Sequence, residues 1–329
     1  AGELPVLVKA SAGGGGRGMR VVEDLADLPG AVDSARAEAA SAFGDPTVFC
    51  ERWIPSGRHI EVQVLADAHG TVWALGEREC SIQRRHQKVL EESPSPLVDD
   101  AMRERLCAAA TAAARAVDYV GAGTVEFLAT DGSFHFLEMN TRLQVEHPVT
   151  ECVTGVDLVA EQLRVAEGHR LVGDPPAPSG HAIEARLYAE DPAHDWRPQS
   201  GTLHRFSVPG VTAEFRVPAG TGIRLDSGVR DGSEVSVHYD PMLAKVIARG
   251  PDRGSAARAL AGALARATVH GLVTNRDLLV NVLRHPAFLA GGTDTAFLER
   301  HGLATLATSP VGAAGRALSV VAAALADAA

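Results

Sequence analysis

Residues 123–129 and 133–140 alternate apolar with polar side chains and are joined by Asp131-Gly132. A period of two on either side of an Asp-Gly pair specifies an antiparallel β-hairpin. The hairpin fixes which side chains meet. Glu126 lies on its first strand, and Glu138 and Asn140, two residues apart, share one face of the second. Two carboxylates and an amide oxygen are hard ligands of the kind that hold Mg²⁺ or Mn²⁺ on nucleotide phosphates. The plain alternative is a surface hairpin with acidic decoration, but paired carboxylates repel unless a cation or a proton intervenes. If the chain stays extended, Arg142, Gln144 and Glu146 continue on the same face. That order suits a polyphosphate, then a small anion, then a base.

The rest of the chain is mixed. Strand-like segments at 4–10, 19–22, 48–53, 58–65, 71–76, 181–188, 201–206 and 235–238 are interleaved with helical patterns at 29–43, 99–117, 156–167 and 255–267. This predicts an α+β chain. Its 329 residues suit two or three domains, and the Pro/Gly-rich stretch 173–180 marks the clearest internal boundary. The final residues, 303–329, are Ala-rich and read as a docking helix or a frayed tail. A formal charge of −10 argues against a nucleic-acid partner. No apolar run reaches the ~18 residues of a membrane span. Cys50, Cys80, Cys107 and Cys152 fit neither a zinc pattern nor a C-x-x-C pair, which suits reduced, mostly buried thiols in the cytoplasm.

Further motifs point to anions. Gly13, Gly15 and Gly18 satisfy G-x-G-x-x-G, but residues 19–22 continue as strand where a dinucleotide site needs a helix, so that reading is rejected. The loop is either a plain turn or a flap whose N–H groups fold over phosphates. Lys9 precedes it, at the end of a buried strand where an ammonium needs a partner. His59 and Glu61 share a strand face that could simply be the wet side of a half-buried sheet. The basic run 83–88 is either solvated surface or an anion collector. Arg186 sits on a strand where a buried pair with Glu184 or Glu190 is the ordinary expectation.

Together the segments 9–22 (KASAGGGGRGMRVV), 58–65, 79–89 (ECSIQRRHQKV), 121–128 (GAGTVEFL), 138–150 (EMNTRLQVEHPVT) and 181–191 (HAIEARLYAED) resemble the biotin carboxylase family of the ATP-grasp superfamily. The likeness covers about residues 4–300. It implies an incomplete ATP-grasp domain over 1–172 with a flap at 9–22, a biotin carboxylase C-terminal α+β domain over 173–290, and a tail or the start of a next region over 291–329. Lys9, Gly15 and Gly16 would hold and cover ATP phosphates. Glu51, Arg52, Trp53 and Ile54 would line the adenine pocket, with His59, Gln83 and His86 also at the nucleotide. Glu126, Glu138 and Asn140 would carry the metal, with Glu126 and Glu138 also reaching ATP. Lys88, Arg142, Gln144 and the backbone of Val145 would hold bicarbonate, and Glu146 would be its base. Arg186 would hold the biotin ring and stabilise its enolate.

The implied chemistry is ATP- and bicarbonate-dependent carboxylation of biotin through carboxyphosphate. Biotin would arrive on a separate carrier domain, and a carboxyltransferase subunit would complete an acyl-CoA carboxylase. The family also implies a homo-oligomer. Members carry an N-terminal Rossmann-like domain ahead of the point where this sequence begins, so the chain alone is expected to show little carboxylase activity. Two rival readings are another bicarbonate-phosphorylating ATP-grasp ligase, such as a carbamoyl-phosphate synthetase, and an inactive subunit acting as an interaction module.

Overall fold

A computed structural model describes residues 4–12, 18–54, 56–84, 87–130, 132–309 and 311–327. Gly15, Gly16 and His86 of the expected nucleotide set, and Asp131 of the hairpin turn, lie outside the described residues. The chain forms two compact units, residues 1–57 with 85–87, and residues 58–84 with 88–329.

The first unit is a three-stranded antiparallel sheet with Val6–Ala10 between Arg20–Val22 and Val48–Arg52. The helix Leu28–Phe43 packs on it around Val8, Val22 and Ala35. Its Pro29 occupies the first turn, where a missing N–H does no harm, and Gly44 ends it in the left-handed region at φ 75°.

The second unit is built on a nine-stranded sheet. Its order runs Val211–Glu214, Gly222–Ser227, Met242–Gly250, His181–Tyr188, Gln87–Ser93, Val72–Arg84, Arg58–Ala66, Gly121–Thr130, Ser133–Asn140. The sheet is continuous across the Pro/Gly-rich stretch, because Leu90–Ser93 pairs antiparallel with Ala182–Ala185. One face is apolar and covered by helices. Met102, Leu106 and Ala110 of the helix Asp100–Ala116 pack on Ile60, Val62, Val64, Val125 and Phe127. Leu260, Leu264, Leu279 and Leu283 of Arg253–Ala265 and Arg276–Arg284 pack against Ile183, Ala185, Leu187 and Val246. Side chains of this size contribute about 1.5–3 kcal/mol each on burial. Asp99 caps the first of these helices, accepting from the Met102 N–H at 2.7 Å.

The opposite face carries Glu61, Gln63, Arg78, Thr124, Glu126, Glu184, Arg186, Arg224 and Asp226, every one of them buried. The expectation of a wet polar face at His59 and Glu61 therefore fails: Glu61 and Gln63 are both 0% exposed. The short helix His147–Thr154 closes over this face, packing Val149, Cys152 and Val153 on Ala182 and Ile247.

Three further differences from the sequence reading have local causes. The strand expected to end near Gly76 runs on to Arg84. Gly76, at φ 81°, sits where the pairing register shifts, and it marks a bulge rather than an end. The helix His147–Thr154 was not foreseen, because at eight residues it is shorter than the window over which a helical period can be read. Of the cysteines, Cys80 and Cys152 are buried as expected, but Cys50 is exposed and Cys107 only partly covered.

Candidate active site

The charged face converges on Lys88, near the start of the strand Gln87–Ser93. Its Nζ lies 2.5 Å from Glu61, 3.0 Å from Glu126 and 2.6 Å from Glu146. Burial disfavours the ammonium, but these carboxylates outweigh it and hold the Lys88 pKa well above its ordinary value. Burial likewise raises Glu61 and Glu126, yet their cationic neighbours win. Lys88 and Arg78 bring Glu61 down to about 2, and His59 with Lys88 brings Glu126 to about 2. The His59 ring stands 3.1 Å from Glu126.

Arg78 is the residue that sequence reasoning missed. It is wholly buried and spends its guanidinium on Glu61 at 2.5 Å, Gln63 at 2.7 Å, Thr150 at 3.0 Å and Thr124 at 3.1 Å. Its signal in the sequence was weak, because the strand was read as ending before it. Thr150 belongs to the buried helix, so Arg78 ties the sheet to that cover.

Arg142, Gln144 and Glu146 do reach the cluster, but not by continued alternation. The strand ends at Asn140, the chain turns through 141–146, and Glu146 stands at the N-cap of the helix His147–Thr154. Arg142 donates to Gln144 at 2.8 Å, and Gln144 donates to Glu126 at 3.1 Å. Glu146 is 1% exposed and bridges two cations, Lys88 on one oxygen and the Arg186 guanidinium at 2.9 Å on the other. The other partner of Arg186 is Glu91, not Glu184 or Glu190. Glu91 and Glu184 face each other across the strands. Burial, opposed by Arg186, raises Glu91 to about 7, and burial also raises Glu184 well above its ordinary value.

The hairpin register pairs Glu126 with Glu138 and Thr124 with Asn140. Directly opposed carboxylates at a strand pair suit a hard cation. The Asn140 amide nitrogen is buried with no hydrogen-bond partner among the described residues. This oxygen-rich donor set fits Mg²⁺ or Mn²⁺. Gln83 lies half-buried near the end of its strand.

The remaining nucleotide-binding candidates belong to the first unit. There Lys9 pairs in register with Phe49, and its Nζ stands 3.8 Å from Glu51. Glu51 and Arg52 close the third strand, and the Trp53 N–H donates to Pro5 at 3.2 Å. Ile54 follows as non-strand chain, partly buried.

Two family models match the chain. "Carbamoyl-phosphate synthase L chain, ATP binding domain" covers residues 2–173, and "Biotin carboxylase C-terminal domain" covers 184–300. The chain is 49% identical over 300 residues to the methylcrotonoyl-CoA carboxylase alpha subunit of Dictyostelium discoideum, which is 90% of this chain and 42% of that protein. It is 47% identical to a biotin carboxylase of Nostoc, over 90% of this chain and 65% of the relative. Among solved structures, the biotin carboxylase domain of Hydrogenobacter thermophilus 2-oxoglutarate carboxylase superposes with a TM-score of 0.84 at 41% identity. That match covers 91% of this chain and 65% of the other, which was solved with MgADP, ADP and bicarbonate. The chain thus spans between about two fifths and two thirds of the length of these relatives.

Proposed function

The chain belongs to the biotin carboxylase family, and from that premise we propose that it carries the site for ATP- and bicarbonate-dependent carboxylation of carrier-bound biotin, as part of an acyl-CoA carboxylase. The observation that carries this reading is Glu146, whose two oxygens bridge Lys88 and Arg186. A base held between an anion-binding ammonium and a guanidinium suits a reaction that first activates bicarbonate and then receives a ureido ring.

In this reading Lys88, Arg142, Gln144 and the Val145 backbone orient bicarbonate for attack on the γ-phosphorus of ATP, which breaks the bond to the β-phosphate oxygen and gives carboxyphosphate and ADP. A Glu146 carboxylate oxygen accepts the bicarbonate proton as that bond forms. Glu126, Glu138 and Asn140 would hold the divalent cation, which when bound neutralises charge on the phosphate oxygens. Lys9 and the loop around Gly15 and Gly16 would hold and cover the phosphates, with Glu51–Ile54, His59, Gln83 and His86 at the rest of the nucleotide. Breakdown of carboxyphosphate yields CO₂ and phosphate, the phosphate removes the N1 proton of biotin, and N1 then bonds to CO₂. Arg186 orients the ureido oxygen and stabilises its negative charge. The carrier domain, the carboxyltransferase and self-association belong to the same proposal.

The test is ADP release by the full-length protein with bicarbonate, with and without biotin, and with ammonia as competitor. Turnover stimulated by biotin and reduced at least ~100-fold by Arg186→Met supports the reading. Turnover stimulated by ammonia and indifferent to biotin and to Arg186 would sink it in favour of carbamoyl-phosphate chemistry.

A further inference from the structure

The turn that carries Gln144, Val145 and Glu146 has no strand partner to fix it. Within it the Gln144 carbonyl is satisfied by His147, whose N–H lies 3.3 Å and whose Nδ1 lies 2.7 Å away, and the Glu146 carbonyl accepts from the Val149 N–H at 3.3 Å. The Val145 carbonyl needs a donor of its own. It receives one from Lys245 Nζ at 2.9 Å.

Lys245 lies on the strand Met242–Gly250, directly opposite Arg186 on one side and Asp226 on the other. Its ammonium stands 3.4 Å from Asp226. Asp226 is itself locked by a two-pronged contact with Arg224, at 2.8 and 2.9 Å. Arg224 reaches on to Glu151 at 2.6 Å. Glu151 lies in the helix that begins immediately after Glu146, and its other oxygen accepts from the Leu158 N–H at 2.7 Å. The strand pair therefore grips the turn at its carbonyl and the following helix at its second turn, with Asp226 joining the two grips.

We propose that Lys245 is a positioning residue, which clamps the 144–146 turn through the Val145 carbonyl and so aims Gln144 and Glu146 at bicarbonate. It touches no reacting atom. The inference rests on the reading of Gln144, Val145 and Glu146 as the bicarbonate site given above.

The test uses full-length protein carrying Lys245→Met, which removes the donor and keeps the stem, and Lys245→Arg, which keeps donor and charge. Hydrogen exchange is read by mass spectrometry on peptides covering 144–150, with Arg58–Ala66 and Gly121–Thr130 as controls. Lys245→Met is expected to speed exchange at 144–150 by roughly tenfold, equivalent to about 1.4 kcal/mol, with controls unchanged and Lys245→Arg restoring most of the protection. In turnover, the bicarbonate KM is expected to rise roughly tenfold while the ATP KM stays within about twofold.

Unchanged exchange at 144–150 overturns the clamp whatever the kinetics. Faster exchange with an unaltered bicarbonate KM and kcat overturns the positioning role. If Lys245→Met loosens the controls as well, Asp226→Asn, which keeps Lys245 and removes its outer anchor, must give the same local pattern or the proposal fails. A parent protein without bicarbonate-dependent turnover refutes the proposed function, and the exchange experiment then decides the clamp by itself.

Discussion

Replacing Lys88 with Met should make the stability of the second unit fall as pH rises. The ammonium is shared by Glu61, Glu126 and Glu146 within 3.0 Å. Burial favours the neutral form of Glu61, yet Lys88 and Arg78 bring it from 4.5 to about 2. That difference corresponds to roughly 3 kcal/mol, at about 1.4 kcal/mol per tenfold change in proton affinity. In the parent chain, folded Glu61 binds its proton more weakly than unfolded Glu61. This contribution is complete above about pH 4.5 and disappears as pH falls toward 2. Without Lys88 the sign reverses for at least one of the three carboxyls. Buried with too few cations, it keeps a proton that the unfolded chain has lost, so raising the pH now favours unfolding. Removing one partner of a buried ion pair typically costs about 3–5 kcal/mol, and that deficit is expected at pH 8. On acidification it should shrink by up to ~1.4 kcal/mol per pH unit for each retained proton. Urea unfolding of parent and variant at pH 8 and pH 5.5 measures both numbers. A deficit equal at the two pH values, or below about 1 kcal/mol at pH 8, refutes the electrostatic account of the cluster.

Other outcomes follow from the same geometry. Glu146→Gln should lower kcat by roughly 10²–10⁴, the usual worth of a general base, while leaving the ATP KM nearly unchanged; a purely KM effect would exclude the base role. Arg78→Met strands Glu61, Gln63 and Thr150 and should destabilise by about 3–5 kcal/mol in denaturant melts, whereas a loss under about 1 kcal/mol would mean the buried network is not structural. Mg-ATP at 100 times its Kd should stabilise the chain by about 2.7 kcal/mol, and Glu138→Gln should reduce that shift in a thermal melt made at the same ligand concentration. Burial, aided by Lys245, holds His147 at about 4 against an ordinary 6.5. The unfolded chain therefore binds more protons between those values, and stability falls as pH drops from about 6.5 toward 4. His147→Phe should remove up to roughly 3 kcal/mol of that slope; an unchanged slope would assign it to other groups.

The sequence by itself marked the strands at 58–65, 123–129, 133–140 and 181–188 and the alternation within them, but not the strands Gln87–Ser93 and Met242–Gly250 that complete the site. Alternation in residues 58–65 and 123–140 places His59 and Glu61, and then Glu126, Glu138 and Asn140, on defined faces. The pairing of Glu126 with Glu138 rests instead on a bulge between Glu126 and Phe127, since the register set at the turn, with Phe127 opposite Phe136, would otherwise place Glu126 opposite Leu137. The same parity separates Ile60, Val62 and Val64, which pack under a helix, from the residues of the site. Tertiary structure alone decided that the charged face is buried. The helix His147–Thr154 and the strand His181–Tyr188 cover and extend it, and neither contact is visible in any local period. Burial turns an acidic decoration into the Lys88 cluster and gives Arg186 its partners Glu91, on a strand remote in sequence, and Glu146, at a helix N-cap. It also decided the path of 141–146. Extended alternation would have listed the same residues on one face, but their convergence comes from a turn capped by Glu146 and held at Val145 by Lys245, 100 residues away in sequence. Local sequence fixes a strand's faces through the two-residue pleat, whereas the order of strands in the sheet and the cover laid over them depend on contacts between segments far apart in the chain.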